Sequence, residues 1–134
     1  MIYVLDACAL LAFLRQEPGH DVVRAVIEDV ANDCFAHALN LCEVFYGIHR
    51  ESGETAAIQA INDISRLGIV TRPDLDDHFW QEVGRLKSVW RRVSLADCCA
   101  IALTQRLAGE LITSDHHELD PLAAAGVCAI TFFR

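Results

Sequence analysis

Short apolar runs without charged residues alternate along this chain with longer segments of helical periodicity. The predicted strands are 2–5, 34–36, 68–70, 111–113 and 128–132, and the predicted helices are 8–15, 21–31, 41–51, 54–66, 75–91, 95–108 and 118–125. This alternation predicts one parallel sheet covered by helices on both faces. Gly53 and Gly109 lie just past predicted helix ends, where the left-handed conformation is favoured. At 134 residues, the chain fits a single domain, 1–134.

Four acidic residues occupy places where such a fold would bring side chains together. Asp6 and Asp115 directly follow predicted strands, and Glu43 and Asp97 lie in the first turns of predicted helices. In an open parallel sheet, ligands bind at the carboxyl ends of the strands, where the winding direction reverses. If the first and fourth strands are neighbours there, Asp6 and Asp115 face one crevice. The helix starts would bring Glu43 and Asp97 to the same rim, so the sequence predicts a pocket of carboxylates.

Each of these acids also has a purely structural interpretation. Asn40 and Ser94 precede Glu43 and Asp97 by three residues, which is the spacing of a capping box or close to it. The two acids that follow strands could each cap a helix. Ser, Thr and Asn would cap equally well, however, and capping is compatible with metal binding. We therefore interpret the four acids together as functional.

A cluster of carboxylates is unstable unless it is protonated or binds a cation. Two carboxylates ~4 Å apart repel each other by about 4 kcal/mol at an effective dielectric constant of 20, which raises their pKa values or favours uptake of an ion. Oxygen ligands favour Mg²⁺ or Mn²⁺ over zinc. Such an ion can activate water and neutralise charge on a phosphate, while a carboxylate that is not fully engaged accepts the proton. The pattern therefore predicts phosphodiester hydrolysis.

At these positions the chain resembles the PIN-domain ribonucleases, particularly the VapC-type toxins of toxin–antitoxin pairs. The matching segments are 3–14, 40–47, 94–103 and 111–115. The resemblance implies a three-layer α/β/α fold with a parallel five-stranded sheet. It implies that the catalytic residues are Asp6, Glu43, Asp97 and Asp115. Of these, Asp6, Asp97 and Asp115 would bind the metal, and the hydroxyl of Thr113 would support the site.

The same resemblance implies RNA as the substrate, Mg²⁺ (or Mn²⁺) as the cofactor, a homodimer, and a VapB-type antitoxin that inserts a segment near the acidic pocket. Ala7 and Cys8 depart from the family, in which small hydroxyl or amide residues are common at these positions. The extra acids in 116–120 could supply an accessory ligand or could begin a solvated helix, and imidazole can also bind metals, so it stays open whether His116 or Asp120 joins the site. Because Pro121 follows Asp120, that acid could instead be a helix N-cap.

Cationic and aromatic residues are candidates for contact with RNA. The densest cationic stretch and one separate arginine are Arg85, Lys87, Arg91, Arg92 and Arg15. Trp80 and Trp90 lie near the stretch and could stack on bases, although an amphipathic helix with solvated cations is the alternative. Arg15 could reach a phosphate or an antitoxin carboxylate. The apolar residues 45–48 could be covered by another subunit or could lie deep in the core.

Composition limits the class of protein. The net charge of −8 disfavours non-specific attraction to nucleic acid but allows a local basic strip. The six cysteines have no zinc-site or CxxC spacing, so we expect reduced, buried thiols in a cytoplasmic protein. We expect no signal peptide and no membrane span, because no apolar run approaches ~20 residues.

Three rival functions use similar residues. A phospho-acceptor receiver domain would need an acidic pair after the first strand and a lysine after a late strand, but Asp6 stands alone and the only lysine is Lys87. An aspartyl phosphatase would need Asp-x-Asp, and Cys8 occupies the third position. A catalytically silent PIN-like module that binds RNA or protein remains the alternative to the nuclease.

Overall fold

The computed structural model describes residues 1–134, with strands and helices alternating as the sequence predicts. The strands are β1 (Ile2–Leu5), β2 (Asp33–His37), β3 (Val70–Arg72), β4 (Glu110–Thr113) and β5 (Ala129–Phe132). The helices are α1 (Ala7–Arg15), α2 (His20–Glu28), α3 (Ala38–Ser52), α4 (Glu54–Arg66), α5 (Asp77–Val89), α6 (Leu95–Leu107) and α7 (His116–Ala124).

The five strands form one parallel sheet in the order β3-β2-β1-β4-β5. The chain therefore winds from β1 outward to β3, crosses back and winds outward again through β4 and β5. The winding direction reverses between β1 and β4, where Val4 pairs with Leu111. The first and fourth strands are therefore neighbours, which is the condition on which the predicted pocket of carboxylates depends. Ligands bind at the carboxyl ends of the strands at such a reversal.

Helices cover both faces of the sheet, and each face has its own core. Side chains of consecutive strand residues point to opposite faces. Val4 and Leu111 accordingly belong to one core, which includes residues of α5, α6 and α7. Leu5 and Ile112 belong to the other core, which includes residues of α1 to α4. The two central strands are buried on both sides, as expected in the parallel three-layer fold.

The predicted position of β3 is wrong by two residues. The strand is Val70–Arg72 rather than 68–70, and Gly68 has φ +83 in the turn after α4. This is an edge strand, and Val70 and Thr71 are exposed. Its backbone pairing with β2 defines it, so its side chains carry little of the burial pattern from which strands are predicted. Helix α5 is also shorter than predicted, Asp77–Val89 instead of 75–91.

The two helix-end glycines differ from each other. Gly53 has φ +87 between α3 and α4, as expected. Gly109 was predicted wrongly, because the left-handed residue after α6 is Ala108, with φ 50. Gly109 instead lacks space for a side chain, since an added Cβ would lie 2.8 Å from the Ile2 carbonyl oxygen and 2.8 Å from its Cγ2.

Replacing Gly109 is therefore expected to destabilise the protein. We predict that Gly109→Ala lowers the free energy of unfolding by roughly 1–3 kcal/mol, the usual cost of overpacking. Gly84→Ala is the matched control, because Gly84 lies inside α5 with nothing near an added Cβ. It should stabilise the protein by up to about 1 kcal/mol. Urea unfolding checks both values, and equal effects of the two substitutions would contradict the steric explanation.

The six cysteines are free thiols, but not all are buried as predicted. Cys34, Cys98 and Cys99 are buried, whereas Cys42 is exposed on α3. The apolar surface of α3 is likewise only partly covered, because Tyr46 is 45% exposed. Helix α3 therefore does not lie deep in the core along its whole surface. No helix has the length and apolarity needed to cross a membrane.

Candidate active site

Asp6 lies directly after β1, at the carboxyl end of the strand where the winding direction reverses. Its backbone N–H donates to the Ile112 carbonyl at 3.4 Å, which holds it against the end of β4. Its Oδ1 caps α1 by accepting from the Ala9 N–H at 2.9 Å. The residue is 1% exposed, and Oδ2 is buried without a hydrogen-bond partner. Burial raises the pKa of Asp6 to about 7; the Thr113 hydroxyl and the Ala9 N–H oppose the shift, and the charges of Asp115 and Glu43 add to it.

Asp97 is positioned by the start of α6. Ser94 caps this helix, and its Oγ accepts from the Asp97 N–H at 3.1 Å, so the predicted cap is confirmed. Asp97 is 8% exposed. Burial raises its pKa to about 8, with further increases from a hydrogen bond to the Glu118 carboxyl and from the charges of Asp6, Glu43 and Glu118. This carboxyl therefore gives up its proton reluctantly in the absence of a cation.

Asp115 follows β4 and caps α7, as predicted. Its N–H donates to the Thr113 hydroxyl at 3.1 Å, and its Oδ1 accepts from the Glu118 N–H at 2.9 Å. Glu118 Oε2 in turn accepts from the Ser94 N–H at 3.2 Å, which joins α7 to the start of α6. Carboxylate oxygens of Asp97, Asp115 and Glu118 all lie within 4.8 Å of one another.

Glu43 lies at the edge of this group, in the second turn of α3. It is partly buried. Burial raises its pKa, and the charges of Glu118 and Asp115 raise it further. Glu43 is therefore close enough for the charges of the acidic cluster to affect its pKa. It is not among the three residues whose carboxylate oxygens lie within 4.8 Å of one another.

The donor set fits a hard divalent cation. The five acidic side chains at the site are Asp6, Glu43, Asp97, Asp115 and Glu118, and none forms a salt bridge with a Lys or Arg. Asp6 presents a buried oxygen without a partner. Cys8 is close, but burial and the charges of neighbouring acids raise its pKa to about 12, so it stays a thiol rather than a thiolate ligand. Oxygen ligands of this kind favour Mg²⁺ or Mn²⁺.

His116 and Asp120, the two other candidate ligands, are bonded to groups outside the acidic cluster. His116 Nδ1 lies 2.8 Å from Asp120 Oδ1, and its Nε2 lies 2.8 Å from the Arg134 carbonyl oxygen. The predicted N-cap role of Asp120 is wrong, because α7 begins at His116 and contains Pro121 in its interior. Both side chains help to attach the end of the chain to α7.

The cationic stretch does not act as one surface. Lys87 Nζ donates to the carbonyls of Arg91 at 2.9 Å and Val93 at 2.7 Å, so it holds the turn after α5. Arg85 pairs with Glu82 at 2.8 Å. Arg91 and Arg92 are exposed and form no salt bridge. Arg15, the separate candidate on α1, pairs with Glu51 of α3 at 2.9 Å.

Two residues at the site were not named as members of the predicted metal site. Glu118 is one: it belongs to the extra acids of 116–120 that could supply an accessory ligand, and its spacing of three from Asp115 places both at the start of a helix. Asn40 is the other. Its predicted capping role is wrong, because α3 begins at Ala38 with His37 as the N-cap. Asn40 is fully buried and donates its amide to the Ala96 carbonyl at 3.3 Å, next to Asp97. Its spacing from Val44 and Ile48 marks the same buried helix face.

Comparison with known proteins agrees with this geometry. Residues 3–123 match the sequence profile of the PIN domain. This chain belongs to the PIN-domain family. The PIN domain is similar in fold to VapBC-1 from nontypeable Haemophilus influenzae, with a TM-score of 0.74 and 18% identity over 99% of this chain and 98% of that chain. A search of curated proteins by sequence found no match.

Two other solved structures have the same fold. DNA-bound VapBC from Salmonella typhimurium superimposes with a TM-score of 0.74 and 15% identity, over 100% of this chain and 99% of that chain. The sarcin–ricin loop cleaving toxin VapC20 from Mycobacterium tuberculosis gives a TM-score of 0.65 and 17% identity, over 94% and 95% of the two chains. At sequence identities this low, the similarity shows a shared PIN fold and nothing more.

Proposed function

We propose that this PIN domain is a metal-dependent endoribonuclease and the toxin of a toxin–antitoxin pair, with residues 1–134 forming one nuclease domain. The observation that carries the proposal is the meeting of Asp97, Asp115 and Glu118 within 4.8 Å, beside a buried Asp6 oxygen without a partner. Carboxylates this close together are strongly destabilised in their ionised form unless a cation binds to them. A structural capping role would not require acidic side chains so close together.

Asp6, Asp97 and Asp115 are the residues that would hold Mg²⁺ or Mn²⁺, and we add Glu118 to them because of its position. The bound ion supplies charge neutralisation at a phosphate and lowers the pKa of water. Asp6 presents a fixed oxygen, because its other oxygen is held by the Ala9 N–H. Thr113 orients Asp115 through the backbone. Glu43, at the rim and with a raised pKa, is suited to accept a proton from the attacking water.

RNA as the substrate and a toxin role are supported by the similar structures. One of them is a toxin that cleaves the sarcin–ricin loop, and others are VapBC complexes. By this analogy the partner of the PIN domain is a VapB-type antitoxin that covers the acidic site, and the active form is a homodimer. The partly uncovered helix α3, with Tyr46 45% exposed, offers apolar surface for such a contact.

The nuclease assignment is tested by cleavage of total RNA. We predict cleavage with Mg²⁺ or Mn²⁺, none with chelator, and a loss of roughly 100-fold or more in Asp115→Asn. Asp120→Asn is the matched control on the same helix, because Asp120 pairs with His116 outside the cluster. It should cleave normally. RNA that is bound but never cut would favour the silent PIN-like binding module instead.

A further inference from the structure

A small cleft opens directly beside the acidic cluster. Its volume is about 200 Å³, and the turn between α5 and α6 forms one wall while the first turns of α7 form the other. The lining side chains that matter here are Trp90, Arg91, Arg92, His117, Glu118 and Pro121. Glu118 belongs both to this cleft and to the group of carboxylates within 4.8 Å, so the two features share a wall.

The turn that carries the two arginines is fixed in place. The N–H of Trp90 donates to the Leu86 carbonyl at 2.8 Å, and the N–H of Val93 donates to the Trp90 carbonyl at 3.1 Å. Val93 is 2% exposed. Lys87 donates hydrogen bonds to two carbonyls of this turn, and the Ser94 N–H donates to the Glu118 carboxylate. The cleft is therefore built before any ligand arrives, which reduces the entropic cost of binding.

The charges of the cleft differ from those of the surrounding surface. Most other arginines are paired with carboxylates, namely Arg15, Arg66, Arg72, Arg85, Arg106 and Arg134. Arg91 and Arg92 have no such partner. In a chain of net charge −8, two unpaired guanidinium groups next to a carboxylate cluster can attract an anionic ligand to a place that would otherwise repel it.

We propose that this cleft binds one unpaired nucleotide of single-stranded RNA next to the phosphate that is cleaved, a role that rests on the proposed nuclease function. Trp90 and Pro121 supply apolar surface for the base, and Arg91 and Arg92 supply contacts for its phosphates. The cleft is smaller than the roughly 300–1,000 Å³ of pockets for drug-sized ligands. It therefore suits a single base turned out of a strand, whereas a base within a duplex could not enter.

Tryptophan fluorescence tests the place of binding. The chain has two tryptophans, and Trp80 lies on α5 in a different cleft. Trp80→Phe therefore leaves Trp90 as the reporter, and Trp90→Phe leaves Trp80. We expect a hexaribonucleotide, added in chelator so that no cleavage occurs, to quench Trp90 fluorescence and to leave Trp80 fluorescence unchanged. RNA that binds without quenching Trp90, or that does not bind at low salt, overturns the proposal.

The arginines are tested by a pair of double variants. Arg91→Ala with Arg92→Ala should weaken hexaribonucleotide binding about 10-fold or more, and should reduce the slope of log affinity against log salt by about 1.4, the value for two contacts to a single strand. The control is Arg24→Ala with Arg66→Ala, which removes the same charge from one other cleft. Equal losses in the two double variants would mean that only net charge matters and would overturn the proposal.

Two further results separate this inference from the nuclease assignment. If cleavage needs Asp115 but the Arg91 and Arg92 variant binds and cleaves normally, the cleft is not a substrate site while the nuclease assignment stands. If RNA quenches Trp90 but no RNA is ever cut, the cleft binds RNA and the nuclease assignment fails. Quenching by an acidic peptide and not by RNA would identify a protein contact and overturn the proposal.

Discussion

Asp6→Asn should abolish metal-dependent RNA cleavage and at the same time make the metal-free protein more stable. The loss of activity should be roughly 100-fold or more, because a buried anionic oxygen is replaced by a neutral amide. The gain in stability follows from the pKa of about 7. At pH 8 the fold holds this carboxylate ionised against its preference, and removing the charge should add up to about 4 kcal/mol to the free energy of unfolding. Asparagine caps a helix as well as aspartate, so α1 keeps its cap.

Asp76→Asn is the matched control, because Asp76 is also an N-cap aspartate. Its Oδ1 accepts from the Phe79 N–H at 3.1 Å, and its carboxylate binds Arg106 at 2.9 Å. The hydrogen bond to Arg106 lowers the pKa of Asp76, so its charge is favourable in the fold. This variant should melt at a lower temperature and keep full activity. Thermal melts and RNA cleavage measure both properties, and a fall in stability for Asp6→Asn would contradict the electrostatic account.

The stability of the metal-free protein should decrease as the pH rises from about 4 to 8. The pKa values of Asp6 and Asp97 are raised from 3.8 to about 7 and about 8, so the folded state binds more protons than the unfolded chain in this range. For such groups the stability is fully present below the unfolded pKa and is lost as the pH passes the folded pKa. Chemical unfolding in chelator at a series of pH values measures this slope.

Mg²⁺ or Mn²⁺ should reverse that loss. At pH 8 an ion present at 100 times its Kd adds about 2.7 kcal/mol to the free energy of unfolding, which raises Tm by several degrees in a domain of this size. At pH 5 protons compete for the same oxygens, so the shift should be much smaller. Asp97→Asn should melt higher than the unaltered chain in chelator at pH 8 and respond little to the ion. An equal response at both pH values would exclude binding at these carboxyls.

The parts of the fold that depend on burial could be predicted from the sequence. The middle of the sheet has buried apolar pairs in β1 and β4, at Val4, Leu5, Leu111 and Ile112, although β4 itself begins with Glu110. The rules for parallel connections restrict the possible strand orders without fixing one. On the condition that the two strands are neighbours, Asp6 and Asp115 could be placed together, because a residue that follows a strand lies at its carboxyl end. These predictions used only local patterns and the topology common to such sheets.

Other features depend on contacts between distant segments. Strand β3 is defined by its pairing with β2 and not by buried side chains of its own. Gly109 is required because Ile2 lies against it. Glu118 belongs to the cluster because α7 packs against the start of α6, where the Ser94 N–H donates to the Glu118 carboxylate. Local spacing places Glu118 near Asp115, but it gives no information on approaches between segments that are distant in the sequence.

The central claim is that carboxylates from separate parts of the chain bind one hard cation. Anomalous diffraction from a crystal soaked in Mn²⁺ tests it most directly. The account predicts a manganese peak at roughly 2.1 Å from carboxylate oxygens, with Asp97 and Asp115 among its ligands and the free oxygen of Asp6 facing it. A soaked crystal without a peak at these carboxylates, or with manganese bound only elsewhere on the surface, would contradict the claim.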